Sequence, residues 1–308
     1  MTAAELATGA VMLVGLVAAP LLPGMIQRQK AYLQGRVGAS IWQPYRDLRR
    51  LWHKRVVQPS GTTVIYLVAP AASAAALLAA ILIVPAAANA PQFGVGHDAL
   101  VVVGVLALAR GLLALSAWDT TSSFGLMSAG RDLAFAVAGE LLLALVLLTA
   151  VLPVGSTDLG AMWLGASGSG IWSHPAHWCG LVGMVLILLI ETGRQPIDNP
   201  DTHLELTMVH EGPLLEYAGR DLAYLQWSAA ARHWVVMLLA AGLFLPHPSG
   251  TVAGLAAVLG WVVALTVLLA LIETMTAKMR LLRVPHLIGA TGLLALGGVA
   301  SWILGAAL

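Results

Sequence analysis

The sequence predicts an all-α polytopic membrane protein of about eight transmembrane helices, and three observations carry that fold class. Hydrophobic residues make up 59% of the 308 and charged residues only 10%, whereas soluble domains carry about 25% charged residues. The apolar residues fall in long runs, most of them reaching the roughly 20 residues a bilayer core demands. The charged residues gather mainly between those runs, so lipid is the solvent for most of the chain.

The runs lie near 6–26, 63–84, 98–118, 133–154, 176–190, 230–246, 251–273 and 286–307, the fifth and sixth being short for a bilayer crossing. Glu5 precedes the first run, no basic segment leads it, and it is long enough to span on its own, so it reads as a helix and not as a cleavable signal. An even number of spans places both termini on one side. Lys and Arg favour the cytoplasmic side of a membrane. Eight of the 16, Arg28, Lys30, Arg36, Arg46, Arg49, Arg50, Lys54 and Arg55, crowd the first long loop. Arg110 lies toward the inner end of the third span, and Arg131, Arg194, Arg220, Arg232, Lys278, Arg280 and Arg283 fall in or beside later loops of the same side. The segments 85–97, 155–175 and 247–250 hold none. The expected protein is therefore a multi-pass protein of the cell (inner) membrane, with both termini outside and the loops 27–62, 119–132, 191–229 and 274–285 cytoplasmic. Without an internal repeat or a low-complexity tract, 1–308 reads as a single transmembrane domain with long cytoplasmic loops at 27–62 and 191–229.

Several function classes drop out early. Cys179 is the single cysteine, and an iron-sulfur cluster needs about four thiolates. A net charge of +1 gives no reason to expect a nucleic-acid partner. His97, His174, His177 and His247 map to one side and His53, His203, His210, His233 and His286 to the other, so no facing mid-membrane pair offers itself to a haem. His203, Glu205, His210 and Glu211 invite a metal, but HLELTMVHE lacks the HExxH spacing that sets two imidazoles on one helical turn. No Gly-rich phosphate loop or Ser/His/Asp arrangement is evident.

The polar residues that remain point to ion chemistry. Glu140 lies within AFAVAGELLLALVLLTAVLP, and no cation stands three or four residues away on its helix, so its partner belongs to another helix. Carboxylates at bilayer depth are costly and usually face a bundle interior or a water-filled path, where they relay protons or bind ions. Arg131 and Asp132 precede Glu140 by eight or nine residues, about 12–13 Å along a helix, which links a cytoplasmic entrance to a buried site. Glu191 and Glu273 end the fifth and seventh spans at the inner boundary. After Glu191, the segment to Asp221 holds Asp198, Asp201, Glu205, Glu211 and Glu216, interleaved with apolar residues and broken by Pro196, Pro200 and Pro213. Irregular backbone near a membrane is tolerated where it is buried in protein or lines a cavity. In the first inner loop, Trp42, Tyr45 and Trp52 alternate with cations; anionic lipid would attract such a segment, while Arg46, Asp47, Arg49 and the Gln43-Pro44 break suit docking of a soluble partner.

Taken together, GASIWQPYRDLRRLW (38–52), WDTTSSFGLMSAGRDLAFAVAGE (118–140), ETGRQPIDNPDTHLELTMVHEGPLLEYAGRDLAYLQW (191–227) and ETMTAKMRLLRVP (273–285) resemble the subunit 1 family shared by respiratory complex I and the membrane-bound group 4 nickel-iron hydrogenases. These segments keep the family order and interleave with the eight spans. The pattern THLELTMVHE is similar to the hydrogenase branch, as in formate hydrogenlyase and hydrogenase-4, where complex I members read ETNRPPFDLPEAESELVAG. The first loop departs from the family's RRGPS, having RVGAS at 36–40.

The resemblance implies a non-catalytic membrane anchor between a soluble redox arm and antiporter-like membrane subunits, coupling redox chemistry to proton or sodium translocation. The large and small hydrogenase-like soluble subunits would carry the iron-sulfur clusters and nickel-iron, and this chain no redox centre; a quinone remains an alternative ligand. On the family pattern Glu140, Glu191, Glu205, Glu211 and Glu216 match carboxylates of an acidic path or its mouth, with Glu273 as a further candidate and Asp198, Arg194 and Arg220 beside it. Arg131, Asp132, His203, His210 and Asp221 are the expected charge partners around the cavity. The alternatives are the quinone-binding subunit 1 of NADH:quinone oxidoreductase and a free-standing ion transporter. Against the last, no second inverted half is visible.

Overall fold

A computed structural model describes residues 9, 13–85, 98–198, 209–249 and 251–306 of the protein. Among them the regular elements are helical. After helical residues 13–18, a turn at Ala19 and Pro20 leads into α1 (Leu21–Leu33). Then follow α2 (Gln43–Trp52), α3 (Val64–Ile83), α4 (Ala99–Asp119), α5 (Ser123–Val154), α6 (Leu159–Ala166), α7 (Pro175–Glu191), α8 (Gly219–Phe244), α9 (Thr251–Met275) and α10 (Val284–Ala306). Among the described residues six helices are long and apolar enough to cross a membrane: α3, α4, α5, α8, Val252–Met275 of α9 and Val284–Gly305 of α10. The apolar α7 is shorter, and the described part of the first run is divided between residues 13–18 and α1.

Side chains at the helix ends explain where several elements begin. Asp98 accepts from the amides of Leu100 and Val101 at 2.7 and 3.2 Å and so caps α4, and Asp158 accepts from Ala161 N at 2.8 Å and caps α6. Such caps satisfy amides that a helix start leaves without an intrahelical partner. Asp119, the last residue of α4, accepts from Thr63 N at 2.7 Å and Tyr66 N at 3.2 Å, which ties the end of that helix to the start of α3. Only Thr120 to Ser122 separate α4 from α5.

Helix α8 is the hub. Its most apolar stretch is 89% buried, against 17–44% for the other five long helices. Val235, Val236, Met237 and Phe244 are fully enclosed, packed in one core with Ile187 and Leu188 of α7, Leu143 and Val146 of α5 and Leu106 of α4. A helix apolar all round belongs in the middle of a bundle, so the two ionisable residues on its buried part, Arg232 and His233, must find their surroundings inside the protein.

Three loop boundaries differ from the hydropathy reading. Helix α5 begins at Ser123, not near 133, so Arg131 and Asp132 are helical; Arg131 donates to Met127 Sδ at 3.1 Å along the same helix, and Asp132 is buried. Helix α8 begins at Gly219, not near 230, and its start lies against the connection between α2 and α3: Gly219 adopts φ +61°, and a Cβ there would meet the carbonyl oxygen of Arg55 at 2.5 Å. The stretch expected as an outer loop, 155–175, contains α6, whose Trp163 is 2% exposed and packs on Gly242. Polar caps and loop contacts of this kind do not register in an average of hydropathy.

Candidate functional site

Glu140, near the middle of α5, finds its partner on α8. The Arg232 Nη1 donates to Glu140 Oε1 at 3.0 Å and to Glu191 Oε2, at the end of α7, at 2.7 Å, while its Nη2 donates to the Leu106 carbonyl of α4. One guanidinium thus joins four helices. From α4 a second cation approaches: Arg110 Nη2 donates to the Glu191 carbonyl at 2.9 Å and lies 3.5 Å from Glu191 Oε2. Glu191 is 1% exposed, and isolated buried ions cost several kcal/mol, about enough to forbid them unless paired and hydrogen-bonded. Two arginines facing two carboxylates meet that requirement. Room for the arrangement comes from Gly139, where a Cβ would stand 2.5 Å from Glu191 Oε1.

Beside the cluster lies a cavity of about 120 Å³ bordered by Arg110, Asp132, Glu191, Thr192, His210 and Arg232, with Ser73 and Leu77 of α3 opposite. A water needs roughly 10–15 Å³ of such space and two to four polar partners, so several water molecules fit. His210 stands at the loop side of this space. Its Nε2 is 3.4 Å from Arg110 Nη2 and 3.7 Å from Asp132 Oδ1, and its Nδ1 is 3.6 Å from Asp198 Oδ2. Asp198 also accepts from the amides of Val209 and His210 at 3.0 and 3.2 Å and faces Lys278 at 3.3 Å. Burial pushes the Asp198 carboxyl up, but the imidazole and the two amides outweigh it and hold its pKa well below the usual carboxylate range. Gly193, with φ +60°, lets the ring in: a Cβ there would meet His210 Nδ1 at 2.6 Å.

A second charged group sits on another side. Glu273, near the end of α9, pairs with Arg194 Nη1 at 3.1 Å and with Lys30 Nζ of α1 at 3.2 Å. The turn after α7 therefore separates two clusters, Glu191 before it in the first and Arg194 after it in the second.

The remaining expected residues fall around this frame. Glu211 and Glu216 are half-buried; the carbonyl of Glu216 accepts from Tyr66 Oη at 2.8 Å, and Tyr66 stacks on Tyr217 with centroids 4.4 Å apart, which fixes the segment just before α8 to α3. Exposed Arg220 lies 3.9 Å from buried Asp221 at the start of α8. His203 and Glu205, like Asp201, lie outside the described residues. Trp42, just before α2, and Arg46 and Arg49 on it are exposed, Asp47 pairs with Arg50, and Tyr45 donates to the Val17 carbonyl. Among the described residues, no three or more His, Cys, Asp or Glu side chains are grouped to hold a metal ion.

Two central residues, Arg110 and Arg232, served in the sequence reading only as markers of orientation. The signal was present. An arginine within an apolar run is as costly as a carboxylate and asks for a partner in the same way.

Comparison with known proteins agrees with this architecture. The family model described as NADH dehydrogenase matches residues 6–301. Hydrogenase-4 component C of Escherichia coli (strain K12) is 30% identical over 275 residues, 87% of this chain and 86% of that protein. Formate hydrogenlyase subunit 4 of the same organism is 28% identical, covering 85% and 87%. An NADH-quinone oxidoreductase subunit from Verminephrobacter eiseniae is 27% identical over 68% of this chain and 61% of that one. In the membrane-bound sulfane sulfur reductase, an archaeal respiratory membrane complex, a chain superposes with a TM-score of 0.83 over 98% of this chain and 100% of its own, at 17% identity, a likeness of fold. With the family model spanning nearly the whole chain and the apolar helices in place, this all-α membrane protein belongs to the NADH dehydrogenase family of membrane subunits.

Proposed function

We propose that the chain is the membrane-anchor and ion-path subunit of a hydrogenase-like respiratory complex, coupling redox chemistry in a soluble arm to movement of protons or sodium. In this reading the cell membrane holds the helices, the loops that carry 27–62 and 191–229 face the cytoplasm, large and small soluble subunits dock there, and antiporter-like subunits adjoin the helices within the membrane. The redox centres, iron-sulfur clusters and nickel-iron, belong to the soluble partners. The relatives named for hydrogenase-4 and formate hydrogenlyase support the hydrogenase branch, since they match over more of both chains than the NADH-quinone oxidoreductase relative does.

The observation that carries the reading is Arg232 shared between Glu140 and Glu191. Two carboxylates converging on one guanidinium, beside a cavity large enough for water, can exchange a proton at small structural cost, because whichever stays charged keeps its hydrogen bond from Arg232. A cavity of about 120 Å³ is also well under the roughly 300 Å³ of ordinary ligand pockets, which favours water and ions over a quinone headgroup. The test is Glu140→Gln in the assembled complex. Gln preserves size and most hydrogen bonding but cannot titrate. Ion uptake by vesicles driven by redox turnover is expected to fall by about a hundredfold or more, the scale on which a positioned proton-transfer group contributes, with the complex still assembled. Wild-type uptake and turnover would leave Glu140 a structural residue.

A further inference from the structure

We infer that His210 is a proton-operated relay between the loop and the buried carboxylates, taking up a proton on Nε2, transferring it to Asp132, and controlling in the process the hold of Arg110 on Glu191. This rests on the ion-path reading and names a residue that gates it.

The geometry fixes the protonation state from which the relay starts. Arg110 only donates, so the 3.4 Å contact between its Nη2 and His210 Nε2 makes Nε2 the acceptor. The neutral ring then carries its proton on Nδ1, on the side of Asp198, 3.6 Å away. Asp198 is itself immobilised by two backbone amides and Lys278, and Gly193 presses its backbone against the ring. A carboxylate behind Nδ1 orients an imidazole and stabilises the imidazolium, which leaves Nε2 as the working nitrogen. That nitrogen points into the cavity, with Asp132 Oδ1 3.7 Å away, buried and without a hydrogen-bond donor from the described residues.

Protonation of Nε2 changes the pairing. As imidazolium the ring has no lone pair to offer Arg110, and two cations 3.4 Å apart repel, so Arg110 turns wholly to Glu191, already 3.5 Å from it. The new Nε2–H faces Asp132. Transfer breaks the N–H bond as an O–H bond forms on Asp132, restores the neutral ring and lets Arg110 return. One proton moves, no electron does, and no other reactant is required. Each charged group around the ring among the described residues has a part: Arg110 from α4 opposes the charged form, Asp132 from α5, Asp198 from the loop and Glu191 from α7 favour it, and Lys278 tempers Asp198.

The test uses the assembled complex in vesicles, comparing wild type, His210→Gln, His210→Gly and Glu140→Gln for redox turnover and ion uptake between about pH 5 and 8, the range in which imidazole titrates. His210→Gln can hydrogen-bond but not relay, and is expected to lose about a hundredfold in coupled uptake and to flatten its pH profile. In His210→Gly, added imidazole is expected to enter the adjoining cavity and restore uptake. Wild-type uptake in His210→Gln overturns the inference. If Glu140→Gln is impaired at the same time, the ion-path reading stands without the relay; if it is not, both fall. Should neither His210 variant assemble, infrared difference spectra of the histidine-labelled wild-type complex decide, since the absence of any ring protonation change coupled to turnover overturns the relay and its presence supports it.

Discussion

The clusters on the two sides of the turn after α7 are built from similar residues in different ratios, two glutamates with two arginines in one and one glutamate with two cations in the other. Around Glu140 and Glu191, two carboxylates share Arg232, and Arg110 divides its contacts between Glu191 and His210. Around Glu273, one carboxylate is held between Lys30 and Arg194. The first arrangement has alternatives: with a proton on either carboxylate the other still accepts from Arg232, and Arg110 can turn to one neighbour or the other. In the second, neutralising Glu273 removes the carboxylate that both Lys30 and Arg194 contact. The comparison separates a cluster suited to changing its charge from one suited to keeping it, although both contain glutamates at the ends of apolar runs. Glu273, expected on the ion path, sits in the second kind of cluster.

The largest effect should come from removing the shared cation. Arg232→Met leaves Glu140 and Glu191 facing one another at depth with Arg110 as the remaining arginine beside them among the described residues, and breaking a buried ion pair on one side costs about 3–5 kcal/mol. The expected result is a large fall in the thermal stability of the purified complex or its failure to assemble. Assembly at wild-type stability would mean that the two carboxylates hold a proton between them, which removes the need for a counter-ion.

Glu273→Gln sharpens the contrast. Two cations then face a neutral amide, and a loss of about 3 kcal/mol is expected, toward the lower end for a broken buried pair because the Lys30 side chain is 12% exposed and can turn outward. Whatever complex assembles should translocate ions per turnover as wild type does. A loss of coupling with stability intact would place Glu273 on the path and dissolve the distinction between the clusters.

How much of this was legible depended on which residues stood out against their surroundings. Glu140 and Glu191 were readable because a carboxylate in or beside an apolar run has few structural excuses, and the all-α membrane fold followed from the runs themselves. Arg110 and Arg232 carried the same signal but were absorbed by the charge-asymmetry argument. The meeting of Asp132 with His210 and Asp198 could not be read from spacing, because it joins an extended start of α5 to a loop turned by Gly193, and both features are fixed by tertiary contacts. The family pattern supplied Asp198 and the loop glutamates as a set without saying which of them meet.

Asp198 gives a prediction with a definite pH sign. Its folded pKa is depressed, so its contribution is fully present above the unfolded value of about 3.9 and is lost as pH falls through the folded value. Asp198→Asn should weaken the loop by about 2 kcal/mol, the scale of hydrogen bonds to a charged group, seen as faster amide exchange at Val209 and His210. That difference should persist down to about pH 5 and disappear only in more acidic medium. A difference that fades already between pH 5 and 7 would show that the Asp198 carboxyl is not held below the usual range.

The smallest effect on the chain itself belongs to α2, and it bears on partners. Arg46 and Arg49 are exposed, and the pair of Asp47 with Arg50 is solvent-facing, so replacing Arg46, Asp47 and Arg49 together should change stability by less than about 1 kcal/mol, as surface ion pairs do. The helix keeps its seat through Tyr45, which donates to the Val17 carbonyl, and Trp52, edge-on to Tyr224 with centroids 5.3 Å apart. A docked subunit reads the charges facing it at short range, whereas insertion depends on the apolar spans. The triple variant should therefore insert and melt like wild type yet lose its soluble partners in a pull-down from mild detergent. Retained partners would leave lipid as what these cations meet, and binding to vesicles with and without anionic lipid would then register the loss that the pull-down did not.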